Sequence, residues 1–117
     1  VMAVSNPWYS AQKTLGTILS SESGDKTADY EWDESVAYAI VMTESGGNPK
    51  AVNKTDYHKE GNCWGSYGLF QLACFRGTEE ELLNPIINRQ IAYELWQKEG
   101  WSPWSVWQTG EYLKFLK

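Results

Sequence analysis

Apolar residues recur along this 117-residue chain at helical rather than strand spacing. Trp8, Leu15, Ile18 and Leu19 follow Asn6-Pro7, a capping residue with proline at the first helical position, and predict a short helix ending before Ser20. Val36, Ala37, Ile40 and Val41 mark one face of a second helix. Asp33 can cap it, and Gly46, Gly47 and Asn48-Pro49 stop it at Glu44 or Ser45. Thr78 and Glu81 make a capping box before a short helical turn. Asn84-Pro85 opens a longer helix with Ile87, Ile91, Leu95 and Trp96 facing inward and Gly100 past its end. Ser102-Pro103 begins a short helix carrying Trp104 and Trp107, and Gly110 separates a last one with Tyr112, Phe115 and Leu116.

The pattern lapses over residues 46–68, which hold five glycines and at most two or three residues of strand-like alternation. A long irregular segment inside a compact domain is more often functional than idle. The expected class is therefore mainly α, with one long irregular segment. Residues 1–32 read as an N-terminal extension, a short helix plus a polar linker, and 33–117 as the domain proper.

Net charge is −5, and all of it falls between Glu22 and Glu34, where six carboxylates stand against Lys26. Such a run reads as a solvated linker. No basic footprint for nucleic acid or anionic lipid is present, and no apolar run has the length of a membrane span. Val1 to Asn6 lacks the basic and apolar regions of a signal peptide. Cys63 and Cys74 can close a loop as a disulfide or remain two reduced thiols. With a single histidine beside them, a four-ligand zinc site is implausible. Aromatic content is 15%, enough to fill a core and leave rings for a stacking surface. Trp96 is expected inside. Of Trp101, Trp104 and Trp107, one or two should pack and one should border a groove; Trp64 and Tyr67 are further groove candidates.

Glu44 stands out chemically. It ends a helix whose preceding residues, Ala39 to Met42, are apolar, so it meets the negative end of the helix dipole and, if it is also partly buried, loses solvation. Both effects raise a carboxyl pKa. A glutamic acid that keeps its proton near neutral pH suits glycosidic cleavage, whose leaving oxygen must receive one. Asp56 and Glu60 are the only other acids between Glu44 and Gln71; they read as solvated loop acids, with a second catalytic carboxylate as the alternative, and His58 reads as a solvated loop histidine.

Three blocks belong together: Thr43-Glu44-Ser45-Gly46-Gly47-Asn48-Pro49, then Ala51-Val52-Asn53, then Gly65-Ser66-Tyr67-Gly68-Leu69-Phe70-Gln71-Leu72. With Leu83-x-Pro85-x-x-Asn88 and the Ala92 helix, they resemble the lysozyme-like lytic transglycosylase family, related to goose-type lysozyme, over about residues 33–117. The resemblance implies a lysozyme-like helical domain with a substrate groove in the irregular segment. It puts the catalytic general acid and base on Glu44 and expects Ser45, Ser66, Tyr67, Gly68, Leu69, Phe70 and Gln71 to bind substrate. Where the family carries Ala-Tyr-Asn-x-Gly, this chain reads Val106-Trp107-Gln108-Thr109-Gly110, so Trp107 replaces the tyrosine and Tyr112 offers a hydroxyl nearby.

The activity so implied is cleavage of the β-1,4 bond between N-acetylmuramic acid and N-acetylglucosamine in peptidoglycan, by hydrolysis or by closure of a 1,6-anhydro ring. The partner is the peptidoglycan glycan strand, and no metal or organic cofactor is implied. The expected setting is the bacterial cell wall, for a phage endolysin or virion protein or a secreted enzyme, as a monomer or one module of a larger protein. The alternative is a glycan-binding or virion structural module that kept the fold and lost catalysis.

Overall fold

A computed structural model describes residues 30–116; the helix expected after Asn6-Pro7 lies outside the described residues. The order is α1 (Glu34–Ser45), β1 (Val52–His58), β2 (Cys63–Tyr67), β3 (Leu72–Ala73), a 3₁₀ turn (Cys74–Arg76), α2 (Glu79–Leu82), α3 (Pro85–Glu99), α4 (Ser105–Thr109) and a final 3₁₀ turn (Glu111–Phe115). Helix dominates, as expected. The segment expected to be irregular instead supplies β1 and β2 of an antiparallel sheet of order β1-β2-β3. Every β1 residue but His58 is exposed, so neither face shows the alternation by which strands announce themselves.

Local signals place the helices. The Asp33 side chain accepts from Ser35 N at 2.9 Å, and Gly46 closes α1 by donating to Met42 O. Thr78 and Glu81 form the reciprocal capping box of α2. Asn84 caps α3 at both Ile86 N and Ile87 N.

The core joins Ala37, Ile40 and Val41 of α1 to Leu69, Phe70, Leu72, Leu82, Ala92, Leu95, Trp104 and Val106. Trp32 is its aromatic hub. It stacks on Trp101 at 5.2 Å and meets Phe70, Tyr93 and Trp96 at 5.4, 5.2 and 6.2 Å. Trp32 and Tyr30 both precede the expected start of the domain at 33, yet both pack into this body. Of the face of α3 expected inside, Leu95 is buried and Ile91 and Trp96 pack half-buried against the core, but Asn88, Arg89 and Ala92 are buried as well. Arg89 is fully buried, bonds Glu34 at 2.6 Å and lies 5.0 and 5.4 Å from the Tyr30 and Trp32 ring centres. The Trp32 indole N–H donates to the same Glu34 oxygen at 2.9 Å. A buried charge persists when paired in this way. Glu34, counted with the solvated acidic run, is one half of that pair. Cys63 and Cys74 are disulfide-bonded, which ties the start of β2 to the turn after β3.

Candidate active site

A cleft of about 390 Å³ runs between the end of α1, the sheet and the end of α3. Glu44 stands on one wall, and Asp56, His58, Glu60 and Ser66 on the hairpin side. Gln71, Arg76, Glu99 and Trp104 also line it. The charges are mostly negative, with Arg76 facing them.

The Glu44 carboxyl is pushed up from an ordinary 4.5 to about 7. Burial is the main cause; the negative charges of Asp56 and then Glu111 add to it. Its place at a helix C-terminus acts in the same direction. Asp56 and Glu44 line the same cleft.

Of the residues expected to bind substrate, Ser66 and Gln71 line the cleft with Glu44. Ser45 does not: its hydroxyl donates to Val41 O at 3.0 Å and accepts from Gly47 N at 3.2 Å, closing the helix end. Leu69 and Phe70 are fully buried, and Tyr67 is 8% exposed with its ring against Gly65. These side chains build the core beneath the cleft because the apolar surface of the turn faces α1, α2 and α3. Gly68 sits under the same turn at φ 81°, where a Cβ would lie 2.2 Å from Leu82 O and 2.3 Å from Asn88 Nδ2. Only glycine fits there.

Asn88 locks this turn. Its Oδ1 accepts from Phe70 N at 3.0 Å, and its Nδ2 donates to Tyr67 O and Leu82 O at 2.9 and 2.8 Å. Trp104 adds an indole N–H to Phe70 O at 3.0 Å. Gln71 takes φ 49°. Its Nε2 donates to Ala51 O and Gly68 O at 3.1 and 3.0 Å, which leaves Oε1 as the amide's acceptor. The amide donor of Gln71 thus serves the turn.

The late aromatic segment differs as well. Trp107 is 38% exposed and Tyr112 packs half-buried against the core; neither lines the cleft. Trp104, one turn earlier, borders the cleft, and Glu111 reaches Glu44 through its charge. Trp64 is exposed outside the cleft. The hairpin residues Asp56, His58 and Glu60, read as solvated loop side chains, are cleft residues. Asp56 and His58 stand two apart on one strand, a spacing that puts side chains on one face. That was the available signal, hidden because the strand itself was not evident.

Among the described residues no group of three or more His, Cys, Asp or Glu is placed to hold a metal ion, and no helix is long and apolar enough to cross a membrane. No match was found among curated proteins or among solved structures. The family model described as lysozyme-like domain matches residues 24–106. The chain therefore belongs to the lysozyme-like domain family, a glycosidase-type fold associated with peptidoglycan.

Proposed function

We propose that this chain is a peptidoglycan-cleaving glycosidase acting on the β-1,4 bond between N-acetylmuramic acid and N-acetylglucosamine, with Glu44 as general acid and then base. The observation that carries this reading is a half-buried carboxyl on the wall of an open cleft, its pKa pushed up to about 7. At neutral pH a large fraction of such carboxyls holds the proton that the leaving sugar oxygen must take. The resulting carboxylate then accepts a proton from the group that attacks the anomeric carbon. That group is water in hydrolysis, or the sugar's own 6-hydroxyl in anhydro closure. Gln71 Oε1 offers a polar contact along the strand. The enzyme works at the bacterial cell wall, as a phage-encoded or secreted protein.

Digestion of purified peptidoglycan by the chain and by Glu44→Gln, followed by mass spectrometry of soluble fragments, tests the reading. Fragments are expected from the parent chain, with release reduced at least about a hundredfold in the variant. The two product types differ in mass by one water. Equal release by both proteins would overturn the role of Glu44. Sedimentation with peptidoglycan and no release by either would mark a binding module.

A further inference from the structure

Asp56, Ser66 and His58 form a connected chain of side chains on the cleft wall. Ser66 Oγ donates to Asp56 Oδ2 at 2.9 Å, and His58 Nε2 lies 3.3 Å from the same Oγ. A serine hydroxyl carries one proton. With that proton directed at Asp56, Oγ can only accept from His58, so the imidazole Nε2 must carry a hydrogen. All three residues line the cleft with Glu44.

The backbone builds this contact deliberately. Tyr57 pairs with Trp64, so an unbroken ladder would set Ser66 against Thr55; instead Ser66 pairs with Asn53. Lys54, Thr55 and Asp56 therefore stand opposite Gly65 alone. Asn53 Oδ1 fastens the bulge by accepting from Thr55 N and Thr55 Oγ1 at 3.1 and 2.6 Å. Gly65 takes φ 116°, and a Cβ there would meet the Tyr67 ring at 2.8 Å. Bulges of this kind re-aim side chains beside active sites.

We propose that Ser66 and His58 are positioning residues that hold the Asp56 carboxylate toward Glu44 across the cleft. This rests on the reading of Glu44 as the proton donor. Held there, Asp56 opposes loss of the Glu44 proton before substrate cleavage. It also presents negative charge where the sugar ring becomes cationic in the transition state. Asp56 transfers no proton in this scheme. Other charge reaches the cleft from Glu60 in the hairpin turn, Arg76 after β3 and Glu99 at the end of α3, and Glu111 acts on Glu44 from beyond α4.

The test pairs disruptive with conservative variants: Ser66→Ala with Ser66→Thr, and His58→Phe with His58→Gln, whose amide keeps a donor. Two readouts are taken in the full chain: the Glu44 carboxyl titration by ¹³C NMR, and kcat/KM against pH on solubilised peptidoglycan. Ser66→Ala should lower the Glu44 midpoint by about half a pH unit. It should also reduce kcat about tenfold with KM little changed. His58→Phe should do the same to a smaller degree, and Ser66→Thr and His58→Gln should restore both readouts. Unchanged Glu44 midpoints in Ser66→Ala and His58→Phe would overturn the proposal, as would conservative variants that behave like the disruptive ones. The NMR readout does not depend on turnover. A parent chain that releases no fragments would sink the enzymatic reading, while the midpoint shifts would still decide the positioning.

Discussion

Two segments meet beside Glu44 and divide the labour differently. The turn from Tyr67 to Gln71 is packed almost wholly inside, with Leu69 and Phe70 fully buried and its backbone held by Asn88 and Trp104. The hairpin strand from Val52 to His58 is exposed along nearly all its length, yet it delivers Asp56 and His58 to the cleft. The turn that makes the family pattern recognisable is mainly a structural device. The polar strand, whose Asp56 and His58 read as solvated loop side chains, carries charge that acts on Glu44. The difference teaches that a motif's legibility follows packing constraint: a position that admits one residue type leaves a clear trace, whereas an exposed charge does not.

That contrast can be broken from either side. Gly68→Ala should have the largest effect, a loss of about 3–4 kcal/mol in urea unfolding, because the new methyl meets the Leu82 carbonyl and the backbone holds a positive φ. A variant of normal stability would show that the turn yields where the packing says it cannot. Next, replacing Cys63 and Cys74 together by serine should cost about 2–3 kcal/mol, since the bridge closes a loop between β2 and the cleft-lining turn. Calorimetry with an unchanged Tm would remove the staple from the account.

Glu44→Gln should act in the opposite direction at alkaline pH. The folded carboxyl keeps its proton to about 7, against an ordinary 4.5. Between those values the folded state binds more protons than the unfolded state, so parent stability is greatest below the window and declines as pH rises through it. The variant should lack this decline and gain on the order of 1 kcal/mol over the parent at pH 8, allowing for partial solvent screening. Parallel stability curves for the two proteins would show that Glu44 is not strained in the fold. The smallest effect belongs to Asp56→Asn, whose exposed side chain should leave stability within about 0.5 kcal/mol while moving the alkaline limb of activity to lower pH. A large unfolding penalty there would make the hairpin a structural element like the turn.

The helices were readable because their signals are local: Asp33, the Thr78–Glu81 box, Asn84-Pro85 and the terminating Gly46 and Gly100 each act within a few residues. The first hairpin strand was not, because exposure on both its faces erases the alternation that betrays a strand. Arg89 escaped notice because a buried arginine depends on partners far away in sequence, here Glu34, Trp32 and Tyr30. Glu44 was legible from its place after an apolar run at a helix end. Its electrostatic neighbours were not, because Asp56 and Glu111 act on it from distant parts of the chain.

Direct titration of the Glu44 carboxyl by ¹³C NMR in the parent chain tests the central claim most simply. The account predicts a midpoint of about 7, set by burial and by the charges of Asp56 and Glu111. A midpoint at the ordinary 4.5 would contradict it, leaving Glu44 an ionised surface carboxylate with no proton to give at neutral pH.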